Sequence, residues 1–241
     1  MRTLHSVAVA LALSATAFGQ YGDIRDLKLN KPEDKEDVKI IPPPAGAVVL
    51  FDGKSLDLWA SRNDPKKPAV WKLVEGGAVQ VQGGDIVTKE KFGGSFKLHV
   101  EFRVPYMPKA TGQARGNSGV YLHGRYEVQV LDSYGLDSKD NDCGGIYGVA
   151  KPLVNACKAP TVWQSYDIEF HAPKFADGKK TEPARVTVLH NVTKIHDDVR
   201  ITKDNTTAGL GGDPSTPGPI LLQDHGNPVQ YRNIWLVPIK E

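Results

Sequence analysis

The sequence predicts an all-β protein, an antiparallel two-sheet sandwich or jelly roll, and three observations predict it. From residue 47 onward, short runs of apolar residues alternate with polar ones at a period of two, the spacing that puts one face of a strand in a core. These runs are punctuated by Asp52-Gly53, Gly76-Gly77, Gly83-Gly84 and Gly93-Gly94, pairs that favour turns. No window of helical length holds a 3.6-residue apolar period, and strands do not alternate with helices, so a parallel βαβ sheet is excluded.

Residues 1–19 read as a cleaved secretory signal: Arg2 and His5, then an apolar run from Val7 to Phe18 broken by Ser14 and Thr16, then small residues Ala17 and Gly19. Cleavage before Gln20 would deliver the chain to the periplasm or the medium, and no later stretch has the length of a membrane span. Residues 20–45 are polar and end in Pro42-Pro43-Pro44, which predicts a flexible leader with a stiff end. The domain then covers 46–241. Its expected strands are 48–51, 71–74, 78–81, 96–104, a hairpin within 116–133, then 163–171, 185–192, 220–223 and 229–239. Long loops are expected at 105–117, 132–162, 173–184 and 196–218, and loops of that length are commonly functional. A formal net charge of +2 with scattered basic residues argues against a nucleic-acid partner. Cys143 and Cys157 share one loop, and in an oxidising compartment they are expected as a disulfide worth about 3 kcal/mol. The alternative, a pair of metal ligands, lacks CxxC spacing.

The hairpin is the first candidate for a working surface. Val120, Leu122, Tyr126, Val128 and Val130 form its apolar face, and Tyr121, His123, Arg125, Glu127 and Gln129 the other. That second face carries groups that donate, accept and titrate, and Gly-rich loops flank it. On the neighbouring run, Glu101 and Arg103 share a face, and His99 beside them reads as a surface residue. His171, His190 and His196 read as structural or solvated.

Nine phrases in order then resemble the 3-keto-disaccharide hydrolase family. They are LFDGKSLDLW (50–59), WKLVEGGAVQV (71–81), IVTKEKFGGSFKLHVEFR (86–103), GNSGVYL and YEVQVLDS (116–133), IYG (146–148), WQSYDIEF (163–170), GPILLQDHG (218–226) and QYRNIWLVPI (230–239). One departure is Trp163-Gln164, where the family usually has Trp-Asn. The resemblance implies a concanavalin A-like lectin/glucanase jelly roll and cleavage of glycosides already oxidised to a ketone at C3.

Such a ketone acidifies the C2 proton, and the C1 substituent lies β to it. Proton removal then allows elimination of the aglycone, after which water adds back. This route needs a base at C2, a donor or cation at the C3 oxygen and an acid at the leaving oxygen, but not the paired carboxylates of an ordinary glycosidase. By residue type, Glu127 or His225 is assigned the base and Arg103 the oxyanion, with Glu101 beside it and Asp132 at the rim. Asn117, Gln129 and Gln223 are assigned the sugar hydroxyls, with Tyr121 and His123 on the same hairpin face and Trp163 as a sugar platform. Gln223 and His225 would project together if their strand continues. A divalent metal on His and carboxylate ligands could polarise the C3 oxygen, although no HxH or HExxH spacing occurs. An oxidoreductase elsewhere would supply the ketone. The rival reading is a non-catalytic carbohydrate-binding module on the same scaffold; a conventional endoglucanase is disfavoured because no ExDxxE phrase occurs.

Overall fold

The computed structural model describes residues 21–240; the expected signal sequence at residues 1–19 lies outside them. Fifteen strands follow in order: β1 (Val48–Phe51), β2 (Trp59–Ser61), β3 (Lys72–Val74), β4 (Ala78–Gln80), β5 (Ile86–Thr88), β6 (Phe96–Arg103), β7 (Ser118–Leu122), β8 (Tyr126–Val130), β9 (Gln164–His171), β10 (Lys174–Ala176), β11 (Lys179–Glu182), β12 (Ala184–His190), β13 (Thr193–Ile201), β14 (Leu221–Leu222) and β15 (Gln230–Pro238). The large sheet runs β13-β12-β9-β6-β15-β4-β3 with β1 also on β15; the small sheet runs β2-β5-β14-β7-β8; β10 and β11 form a separate ribbon. Pairing is antiparallel between sequence-distant strands, such as β6 with β15 and β14 with β7. This is the expected two-sheet jelly roll.

Alternation explains how the layers meet. Phe96, Leu98, Val100 and Phe102 of β6, with Tyr166, Ile168 and Phe170 of β9, face Val120, Leu122, Tyr126, Val128 and Val130 of the hairpin in one buried cluster. Each such side chain contributes about 1.5–3 kcal/mol by leaving water. The core therefore lies between the sheets, and each sheet has a second face turned away from it.

The expected loops and the leader differ from expectation. Residues 174–176 and 179–182 form β10 and β11 inside the expected loop 173–184, and β13 runs into the expected loop 196–218. Asn191 and Val192 both have positive φ, 51° and 65°, and they link His190 to its cross-strand partner Thr193 in a two-residue hairpin turn. A β-branched residue rarely enters that conformation, so Val192 reads as strand in sequence. The leader also differs, because it lies along the protein instead of trailing from it. Tyr21 is buried and its hydroxyl donates to the Arg103 carbonyl at 2.9 Å. The Asn30 N–H donates to Tyr134 Oη at 2.6 Å, the Trp163 N–H to Asp37 Oδ1 at 2.9 Å, and Asn233 Nδ2 and Trp235 Nε1 reach the Ile41 carbonyl at 2.8 and 3.2 Å. No helix among the described residues is long and apolar enough to cross a membrane.

Candidate functional site on the small sheet

The register of the small sheet lines up two rows of side chains on its outer face. Ala60, Val87, Leu221, Tyr121 and Glu127 are successive cross-strand partners over all five strands. The first four form an apolar floor, packed by Ala208 from an overlying loop, and Glu127 ends the row. Two residues along each strand the second row follows. Arg62 N–H donates to the Asp85 carbonyl, Gln223 N–H to the Gly119 carbonyl, and Gly119 pairs with Gln129. Apart from Gly119, these residues are polar. Five strands at about 4.8 Å spacing span roughly 20 Å.

Glu127 is the chemical centre of this face. It is buried, and loss of water pushes its carboxyl up to about 7; the Tyr121 hydrogen bond works against that rise, while the nearby Asp85 charge adds to it. Burial likewise holds the Tyr121 proton on, its pKa raised further by the Glu127 carboxylate. Gln223 Nε2 donates to Tyr121 Oη at 3.0 Å, giving a chain Gln223–Tyr121–Glu127. Gly119 makes room for it: a Cβ there would stand 2.6 Å from Glu127 Oε1 and 2.9 Å from the Tyr121 ring. At the far end Arg62 Nη1 lies 2.6 Å from Asp85 Oδ2.

The neighbouring amides are set for hydroxyl groups. Gln129 Nε2 donates to Gln113 Oε1 at 3.0 Å, and Asn117 Nδ2 donates to the Gln113 carbonyl at 2.7 Å. Among the described residues, the buried acceptors Asn117 Oδ1 and Gln223 Oε1 have no hydrogen-bond partner. Buried acceptors are nearly always satisfied, so these two are candidates for ligand O–H groups. The wall is made by residues 142–147, which extend the sheet beyond β8. The Gln129 N–H donates to the Gly145 carbonyl at 2.9 Å, and the Tyr147 N–H to the Glu127 carbonyl at 3.3 Å. Arg125 closes the opposite corner, its guanidinium donating to the carbonyls of His123, Gly211, Asp213 and Thr216.

The structure thus brings together Tyr121, Glu127, Gln129, Gln223 and Asn117 from the sequence-predicted set, and it separates the others. Glu101 and Arg103 stand on the outer face of the large sheet, across the core from Glu127. Glu101 receives Arg232 Nε at 2.6 Å and Asn233 Nδ2 at 2.7 Å. Burial works against its charge, yet those bonds and His99 hold its pKa below the usual carboxylate range. Arg103 stacks on the rings of Tyr21 and Trp163, each about 4.8 Å away, so Trp163 packs a cation and the leader and offers no sugar platform here. His99, expected at the surface, is fully buried, with Nδ1 2.6 Å from Asp167 and its ring stacked on Trp235. Asp132 is buried against Arg115 Nη2 at 2.9 Å.

His123 is turned inward. A φ of 50° at the hairpin corner swings its ring between Phe96 and Phe170, with centroids at 5.6 and 4.9 Å, and burial drops its pKa to about 4. His225 is exposed in the turn beyond β14, which ends at Leu222 before the projected pairing with Gln223 could form. Cys143 and Cys157 are buried thiols and not the expected disulfide; Cys143 Sγ sits 3.1 Å from Tyr166 Oη, and the two thiols hydrogen-bond each other. Among the described residues, no His–carboxylate cluster with metal-ligand spacing lies at Glu127; the group that has such spacing is Cys143, Cys157 and His190. Sequence reasoning missed Arg62 and Asp85, which flank strands too short to register as periodic. Their signal is only the cross-strand register.

A two-sheet antiparallel jelly roll with a polar, carboxylate-centred face on one sheet defines the class. Within it, a family model described as 3-keto-alpha-glucoside-1,2-lyase-like domain matches residues 46–237, and the chain belongs to that family. It is similar to a 3-keto-disaccharide hydrolase of Bacteroides thetaiotaomicron, 24% identical over 234 residues, covering 78% of this chain and 77% of the relative. A crystal structure from Parabacteroides distasonis, described as a candidate glycosyl hydrolase, is 36% identical with a TM-score of 0.72, covering 87% of this chain and 97% of that one. A second from the same organism, similarly described, is 22% identical with a TM-score of 0.56, covering 80% and 99%.

Proposed function

We propose that this chain is a carbohydrate-cleaving enzyme acting on glycosides that carry a ketone at C3. The observation that carries the proposal is Glu127: a carboxyl whose pKa of about 7 suits a general base at neutral pH, hydrogen-bonded to Tyr121 on a face lined with amides. Glu127 takes the C2 proton. The electrons move to the C3 oxygen and return to re-form the ketone as the C1–O bond breaks; the aglycone leaves with the proton that Glu127 took, so the product is an unsaturated 3-keto sugar that water can then hydrate. Tyr121, protonated throughout, and the Gln223 amide supply hydrogen bonds at the oxygens that gain charge. Gln129 and Asn117 hold ring hydroxyls. Arg103 has no part in this scheme, because it lies across the core. The family description names a 1,2-lyase and the Bacteroides relative a hydrolase, which are the elimination alone and elimination with hydration.

The substrate requires an oxidoreductase to install the ketone, and the apolar N-terminal run supports action outside the cytoplasm. The deciding experiment offers the protein a 3-keto-glucoside and the unoxidised glucoside, in heavy water. Turnover of the ketone alone, with deuterium entering C2, is the expected result. Binding of both sugars without turnover would establish a lectin-like module instead. N-terminal sequencing of protein recovered from the periplasm or medium, expected to begin at Gln20, tests export.

A further inference from the structure

We propose that Cys143, Cys157 and His190 form a buried site for a thiophilic metal ion, with zinc as the natural occupant, separate from the Glu127 face. The ligand atoms of the three residues lie within 4.8 Å of one another, and all three residues are buried. Zinc takes thiolate sulfur at about 2.3 Å and imidazole nitrogen at about 2.0 Å, which places neighbouring ligands of one tetrahedral ion about 3.5–3.8 Å apart. The triad needs only a small contraction to close on an ion. Two thiolates and a neutral imidazole are the donors that select zinc or another d10 ion over magnesium or calcium.

The surroundings are arranged as they would be around a metal-binding histidine. Gln164 Oε1 accepts the Lys158 N–H at 2.8 Å and lies 3.0 Å from His190 Nε2. Because that oxygen is an acceptor, Nε2 carries the proton, and Nδ1 keeps the lone pair for a metal. A side-chain carbonyl fixing the tautomer of an imidazole is the usual outer shell of a ligating histidine. Tyr166 donates its one proton to the Gln129 carbonyl at 2.7 Å, so its 3.1 Å contact with Cys143 leaves the thiol as donor. On binding, both S–H protons pass to solvent and the two sulfur lone pairs go to the ion. The two thiolate charges cancel the charge of zinc, which a buried position requires. A cavity of about 560 Å³ lined by Cys157, Asn155, Lys158 and Asn191 offers an entry path and room for a fourth, water ligand.

The site would tie the loop that carries Cys143, and with it the wall of the Glu127 face, to β12. The test uses the full chain, purified reduced and metal-free, then titrated anaerobically with cobalt(II) and with zinc(II). One equivalent should bind, cobalt should give a sulfur-to-metal charge-transfer band in the near ultraviolet, and zinc should shield both thiols from a thiol reagent. Cys157→Ser and His190→Ala should each weaken binding at least tenfold. Should His190→Ala fail to fold, Gln164→Ala, which removes the orienting carbonyl and its bond to the Lys158 N–H but keeps all three ligands, should weaken binding per folded molecule. The proposal is overturned if the reduced chain takes up no metal, or if binding is unchanged in these variants. It is equally overturned if the isolated chain weighs two hydrogens less and the pair, once reduced, closes again to a disulfide in preference to binding zinc.

Discussion

Glu127 carries the most consequence at the scale of a single residue. Replacing it with Gln keeps its shape and removes the base, so turnover of a 3-keto-glucoside should fall by about 10²–10⁴-fold, read as kcat. In the native protein the rate should rise with pH through a limb near 7, where the carboxyl ionises. The stability effect has the opposite sign. Between pH 4.5 and about 7 the unfolded chain has released this proton while the folded chain still holds it, so stability falls as pH rises across that window. The loss is roughly 3 kcal/mol, and Glu127→Gln should flatten it in urea titrations at pH 5 and pH 8. Gly119→Ala makes a subtler probe. The added methyl meets Glu127 Oε1 and the Tyr121 ring, so kcat should drop tenfold or more while the fold survives. His225→Ala should leave kcat within a few-fold of normal, because the ring stands exposed beyond β14.

Among the elements, the outer face of β6 has a structural part in the proposed scheme. His99, Glu101 and Arg103 hold Asp167, Arg232, Asn233 and Gln230 in a partly buried polar layer. Glu101→Ala strands Arg232 and should cost about 3–5 kcal/mol, seen as a lower unfolding midpoint with kcat per folded molecule retained. His99 adds a pH term. Burial alone would lower its pKa, but the bonds to Asp167 and Glu101 outweigh burial and raise it. Its stabilisation is therefore complete below its unfolded pKa and fades as pH rises through the higher folded one. Removing residues 21–44 should uncover Trp163 and Trp235 and lower the thermal midpoint, and adding the segment back as a peptide should recover part of it.

The whole molecule divides its labour between two sheets. The small sheet carries the proposed site, and the large sheet backs it and is itself covered by the leader. Much of this was legible in the chain: strict alternation in β6, β7, β8 and β9 marks which side chains enter the core, because a period of two leaves no other way to bury one face. The same alternation placed Tyr121, Glu127 and Gln129 on a common face, where the structure has them. It placed Glu101 and Arg103 on a shared face as well, but alternation states only that two residues face alike on one strand. It cannot say which sheet that strand joins. Sequence alone thus determined the alternating strands such as β6, β7, β8 and β9, their buried faces and the family phrases, since these depend on local geometry and apolar content. Tertiary structure alone decided that β6 and β8 lie on opposite sheets, that His123 turns inward at a positive φ, and that Arg62 and Asp85 join the site. The assignment of strands to sheets rests on pairing between segments about a hundred or more residues apart, such as β6 with β15 and β7 with β14, and a linear pattern does not encode the choice of partner.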